Sequence, residues 1–192
     1  KKVYCTSHIM PGFYNNNSEK IIKSCNNLQG VLTENGIKLQ LIPSCELYLD
    51  ENYERIIDEN PGVMRKQILV EGPLRSWPDY LDNILESLLD KGFVPVIAHP
   101  ERNFDLQKTP LTKIRKYTDM GCKLQSNIFS MFELYGKRVK QYMEALLTTD
   151  LISYLGTDMH NADISIDSYK KAFEGIMLKT GRDRFLSFFK ED

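Results

Sequence analysis

Short apolar runs alternate with longer stretches whose apolar residues recur at helical spacing, and this alternation holds along the whole chain. Residues 3–7 read as a strand that ends at His8, followed by a polar loop with Pro11, Gly12 and three asparagines. Ser18 is placed to cap a helix carrying Ile21, Ile22, Cys25, Leu28 and Leu32 on one face, closed at Asn35-Gly36. Residues 37–42 form the next strand, interrupted by Pro43 and leading to Cys45-Glu46. A short helix covers residues 52–59 and stops at Pro61-Gly62, and residues 67–70 make a compact strand that delivers Glu71. Leu81, Ile84, Leu85 and Leu88 then give the clearest helical stripe, ended by Gly92.

Residues 94–98 are the fourth strand and run straight into His99-Pro100-Glu101-Arg102-Asn103. Pro110 predicts a helix start in its favoured first position, with the end at Gly121. Residues 122–127 follow as a strand, and residues 137–147 as a helix with Val139, Tyr142, Met143 and Leu146 inward. Residues 151–155 form the sixth strand and open into Gly156-Thr157-Asp158-Met159-His160. A last helix carries Tyr169, Ala172, Phe173 and Ile176, and a short one follows Gly181. Six strands alternating with helices predict an α/β fold with a parallel sheet. An open doubly wound sheet fits that alternation too, but it gathers its site at one switch point. Here polar candidates hang from the first, second, third, fourth and sixth strands. That distribution favours a (β/α) barrel with its chemistry at the carboxyl ends of the strands.

Composition narrows the function classes. At 192 residues the chain is long enough to bury a core as one domain, residues 1–192. A net charge of -1 exerts no pull toward nucleic acid or an acidic membrane surface. The basic residues are spread over helices, and the Tyr and Phe residues fit helix core stripes, so no nucleic-acid partner is indicated. No apolar run approaches about 18 residues and the start does not read as a signal peptide, which predicts a cytoplasmic protein without membrane insertion. Cys5, Cys25, Cys45 and Cys122 are scattered, with no CxxC pair, and read as reduced thiols.

All three histidines, His8, His99 and His160, sit at strand ends, and Glu46, Glu71 and Asp158 stand in equivalent places. Imidazole and carboxylate together suit divalent metals such as Zn, Mn or Fe. Taken singly, a strand-end histidine is more often a hydrogen-bonded loop residue, and a lone glutamate is usually solvated. Six such residues on successive element ends make that ordinary reading inadequate. Two or more metals close together activate water and clamp a phosphoryl or acyl oxygen. In an extended segment, the Asp158-x-His160 spacing aims both side chains the same way. Arg102, three residues past His99, offers a planar fork for phosphate oxygens. Its rival role is a surface ion pair with Glu101 or Asp105. Neither GxxxxGK[ST] nor GxGxxG occurs, a serine triad has no nucleophile elbow, and no cysteine is followed six positions later by arginine.

The strings Thr6-Ser7-His8, Cys45-Glu46-Leu47, Leu69-Val70-Glu71, Ala98-His99-Pro100-Glu101-Arg102-Asn103 and Gly156-Thr157-Asp158-Met159-His160-Asn161 resemble successive motifs of the PHP superfamily. Within it, the His8-Ile9-Met10-Pro11-Gly12 run and the string around His99 most resemble the bacterial metal-dependent protein tyrosine phosphatases of capsule and exopolysaccharide gene clusters. The resemblance implies a distorted seven-stranded (β/α) barrel, a cluster of two or three divalent metals, and hydrolysis of phosphotyrosine on a partner tyrosine kinase. By matching motifs, His8, Glu46, Glu71, His99, Asp158 and His160 are metal ligands, and His99 and Arg102 stand at the reaction centre, Arg102 on the phosphoryl group. The implied chemistry is in-line attack of a metal-activated water on phosphorus.

The family's opening His-x-His strand has no counterpart here, so the chain reads as starting on the second strand of the barrel. An exposed edge along residues 3–7 then predicts a homo-oligomer or a poorly soluble chain, with fewer metals than a full-length relative and little activity. Two rivals remain at this stage: a PHP phosphatase of a small molecule such as histidinol phosphate, and a non-catalytic binding domain.

Overall fold

The computed structural model describes residues 1–161 and 163–190. Six strands, β1 (Lys2–Ile9), β2 (Gln40–Tyr48), β3 (Gln67–Glu71), β4 (Val94–Ala98), β5 (Lys123–Asn127) and β6 (Tyr154–Gly156), follow one another in one sheet in sequence order. The β1–β2, β2–β3 and β5–β6 pairs are parallel. Between and after them come α1 (Ser18–Glu34), α2 (Tyr53–Glu59), α3 (Tyr80–Asp90), α4 (Leu111–Met120), α5 (Lys137–Leu147), α6 (Ile166–Thr180) and α7 (Arg182–Ser187). This is the α/β alternation expected of a (β/α) fold. By contact the chain divides into two compact units, Lys1–Gly72 with Asp79–Val96, and Pro73–Pro78 with Ile97–Asp192.

In the first unit β1 and β2 run in register from Lys2 opposite Gln40 to Ile9 opposite Leu47. The second strand is therefore displaced from the predicted residues 37–42 and passes through Pro43. The proline is tolerated because pairing of β2 with β3 begins only at Glu46, so its missing N–H leaves no β3 bond unmade. Helix α1 is capped by Asn17, whose Oδ1 accepts from Lys20 N at 2.9 Å, and Ser18 is its first residue rather than its cap. Its buried stripe is narrower than expected: Ile21 and Cys25 are covered, while Leu28 is 49% exposed. Leu81, Leu85 and Leu88 of α3 have no exposed surface, as their spacing predicts, and Gly92 ends the segment at φ +84°.

The second unit is built on Ile114 and Tyr117 of α4, Leu124 of β5, and Met143 and Leu146 of α5, all without exposed surface. Trp77 ties the Pro73–Pro78 segment to this unit, its indole Nε1 donating to the Tyr117 hydroxyl at 2.8 Å. Pro110 occupies the cap position of α4 with extended ψ, one residue earlier than predicted, and Gly121 closes the helix at φ +109°. Strand β6 is shorter than the apolar run that suggested it. Leu151 and Ile152 are buried, but pairing to β5 begins at Tyr154. Short 3-10 turns at Pro100–Arg102, Ile128–Met131 and Glu133–Tyr135 carry no apolar period and were not foreseen.

Candidate metal centre

Three of the six predicted ligands lie in the first unit and three in the second. In the first, the in-register ladder sets His8 opposite Glu46, and the next ladder sets Tyr48 opposite Glu71. His8 Nδ1 lies 2.8 Å from Glu71 Oε1 and 3.7 Å from Glu46 Oε2. One ligand atom from each of the three residues falls within 4.8 Å of the others. The two carboxylates are buried and repel each other, and a cation among them relieves that repulsion. One imidazole and two carboxylates suit a borderline or hard divalent ion, so the donor set fits the metal the sequence predicts. Tyr14 stacks on the His8 ring at 4.8 Å and 17°. A tight turn holds it there: Tyr14 N donates to Met10 O at 2.7 Å, with Gly12 at φ +87° inside. Asn16 Nδ2 donates to His8 O at 2.8 Å. Burial, and then the charge of Glu46, push the Cys45 thiol up to about 12. Its Sγ donates to Met64 Sδ at 3.7 Å.

In the second unit the structure singles out His99 and Asp158 by their backbone. Among the described residues they are the two non-glycine positions with positive φ, at +33° and +48°. Such conformations cost on the order of 1–3 kcal/mol each and persist only where the surroundings enforce them. At His99, the amide donates to Gln125 O at 2.7 Å and the carbonyl accepts from Arg102 N at 2.8 Å. Arg102 Nη1 donates to Asp158 Oδ2 at 2.7 Å, and the guanidinium carbon lies 4.5 Å from the centre of the Tyr135 ring. The rival pairing of Arg102 is thus replaced: its partner is Asp158, while Asp105 accepts from Lys108 Nζ and Trp77 N. Burial pushes the Tyr135 phenol up, and the Arg102 charge opposes that rise. The Asp158-x-His160 segment is not extended at Asp158. The left-handed backbone at Asp158 instead lets His160 Nδ1 approach within 3.0 Å of Asp158 O and 3.6 Å of Asp158 Oδ1.

Similarity to known proteins accords with these motifs. A family model described as capsular polysaccharide synthesis, CpsB/CapC, matches residues 1–192. The chain belongs to the CpsB/CapC family. Relatives include tyrosine-protein phosphatase YwqE of Bacillus subtilis, 27% identical over 84% of this chain and 64% of that protein. Tyrosine-protein phosphatase CpsB of Streptococcus pneumoniae is 26% identical over 100% of this chain and 82% of its own length. A solved structure described as YwqE from Bacillus subtilis and CpsB from Streptococcus pneumoniae, unique metal-dependent tyrosine phosphatases, matches with TM-score 0.85 at 24% identity. That match covers 97% of this chain and 76% of the solved one, and it establishes the shared fold. The chain spans 64% of the length of the first of these relatives.

Four residues around the CpsB/CapC motifs escaped the sequence reading. Asn127 ends β5, the one of the six described strands that carries no polar candidate from the sequence, and its Nδ2 donates to Asp158 Oδ2 at 2.8 Å. The strand-end rule that selected the others would have found it. Glu101 stands inside the His99–Asn103 motif, where its spacing suggests only a surface partner for Arg102, whereas it is fully buried. Tyr14 and Tyr135 act through ring contacts that sequence spacing does not reveal.

Proposed function

We propose that the protein is a metal-dependent protein tyrosine phosphatase acting on a phosphotyrosine protein, a bacterial tyrosine kinase of capsular or exopolysaccharide regulation, in the cytoplasm. The observation that carries this reading is the His8, Glu46 and Glu71 donor set, in a chain that the CpsB/CapC family model matches from end to end. The names of its relatives support phosphotyrosine as the substrate class. Among the described residues no helix is long and apolar enough to cross a membrane.

In this reading His8, Glu46 and Glu71 hold a divalent cation, Mn, Fe or Zn, and His99, Asp158 and His160 keep their assignment as ligands. When bound, such a cation supplies a Lewis acid and a source of hydroxide at neutral pH. The protein's own part is to hold and orient. Tyr14 keeps the His8 ring in one plane, and the burial of Glu46 and Glu71 keeps bulk water from competing for their oxygens. Arg102 presents its fork to the equatorial oxygens of the transferring group. Tyrosinate leaves readily, since a phenol has a pKa near 10, so a dedicated general acid is dispensable.

The test is hydrolysis of a phosphotyrosine peptide in Mn2+, beside histidinol phosphate, with and without chelator. We expect peptide hydrolysis that chelation abolishes, and lower bound metal in His8→Ala and Glu71→Gln. Faster turnover of histidinol phosphate reassigns the substrate. Wild-type metal content in both variants removes the triad from the centre, and a protein that binds no metal is a binding domain instead.

A further inference from the structure

We propose that Glu101 is a positioning residue: its carboxylate fixes the end of β5 so that the Asn127 amide and the Arg102 guanidinium meet on one oxygen of Asp158. Glu101 has no exposed surface, yet its partners are two neutral donors. Oε1 accepts from the Asn127 backbone N–H and the Ser130 hydroxyl, each at 2.8 Å, and Oε2 has no hydrogen-bond partner. A carboxylate buried on these terms is destabilising in itself. An apolar or amide side chain would serve simple packing better.

What Glu101 does hold is the path of the chain beyond β5. Asn127 is the last residue of that strand and Ser130 lies in the following 3-10 turn, so one oxygen pins both. With its backbone fixed, Asn127 directs Nδ2 to Asp158 Oδ2 at 2.8 Å. Arg102, the next residue after Glu101, brings Nη1 to the same oxygen at 2.7 Å. Asp158 is thereby gripped twice on Oδ2, while Oδ1 stays on the His160 side at 3.6 Å. A residue at φ +48° needs such enforcement from outside. A single short turn therefore carries the anchor of one grip and the whole of the other.

The inference rests on the roles proposed above for Asp158 and Arg102. Glu101→Gln keeps the shape and an acceptor for the Asn127 N–H, whereas Glu101→Ala loses both. Residues that orient ligands typically change affinity or activity by about 10- to 100-fold. We accordingly expect Glu101→Ala to lower both kcat on a phosphotyrosine peptide and Mn2+ affinity by at least about tenfold, with KM little changed and Glu101→Gln recovering most of the loss. In an Asn127→Ala background Glu101→Ala should add little to the loss, since residues that act through one another are non-additive. Additive effects would overturn the proposal, as would a lowered melting temperature with kcat and Mn2+ affinity unchanged. If Glu101→Ala does not fold, Glu101→Leu, which fills the buried space but lacks the acceptor, takes its place in the cycle with Asn127→Ala. If the wild-type chain hydrolyses no phosphotyrosine, the functional reading fails and a separate measurement decides the positioning. Hydrogen-exchange protection of the Asn127 backbone N–H, which donates to Glu101 Oε1, should then fall in Glu101→Leu and be retained in Glu101→Gln, and retained protection in Glu101→Leu refutes the role.

Discussion

Replacing Arg102 by alanine removes two contacts at once, and the structure sets the size of the loss. The guanidinium gives a 2.7 Å hydrogen bond to Asp158 Oδ2, with the two side chains 24% and 8% exposed, and it stacks on Tyr135. A hydrogen bond to a charged group contributes about 1.5–3 kcal/mol, and a cation–π contact at a partly exposed site about 0.5–1 kcal/mol. The substitution also leaves the buried Asp158 oxygen to Asn127 alone. We therefore expect a stability loss of about 2–4 kcal/mol by urea denaturation. At roughly 2–4 °C per kcal/mol for a chain of this size, the melting temperature should fall by at least about 4 °C. Arg102→Lys keeps the charge but not the planar fork, and should fall between the two. In the proposed reaction Arg102→Ala should also lower turnover at least about tenfold, since about 1.4 kcal/mol corresponds to each factor of ten. A loss under about 0.5 kcal/mol with turnover unchanged would refute the reasoning, because that is how a solvated surface pair behaves.

Two further outcomes follow from the core and the buried titratable groups. Leu85→Ala removes a side chain with no exposed surface from the stripe of α3, and urea denaturation should show a loss of about 2–5 kcal/mol. Burial pushes the Cys45 thiol from 9.0 up to about 12 and the Tyr142 phenol from 10.0 up to about 12. Both groups are neutral in the folded state until strongly alkaline pH, so their contribution is complete below about pH 9 and is lost as pH rises toward about 12. Thermal melting should therefore decline steadily over that alkaline range, and a melting temperature independent of pH there would contradict the burial of these groups.

Much of this fold was legible because its signals are periodic. The Leu81, Ile84, Leu85, Leu88 stripe and the apolar run at residues 94–98 gave α3 and β4, and residues 137–147 matched α5. Element edges were less legible. Whether Pro43 interrupts β2 depends on which neighbour its missing N–H would face, and that is a fact of pairing, not of local sequence. The candidate site was visible as residue types at strand ends, which is why His8, Glu46 and Glu71 could be named together. The left-handed backbone at Asp158, the choice of Asp158 over Glu101 or Asp105 by Arg102, and the burial of Glu101 all arise from contacts between distant segments. No window of sequence contains them.

The in-register pairing of β1 with β2 makes the triad sensitive to length in one place and indifferent to it in another. Deleting one residue within 40–45 would turn Glu46 to the opposite face of the sheet, because side chains alternate along a strand. Deleting two would keep the face but draw Glu46 back along the strand by roughly 6.6 Å, well beyond the span over which one ion can bridge three ligands. Residues 35–39 between α1 and β2, by contrast, can gain or lose residues while His8 and Glu46 remain opposite each other. Insertions engineered there should leave cation affinity intact, whereas a change of equal size six residues further along should abolish it.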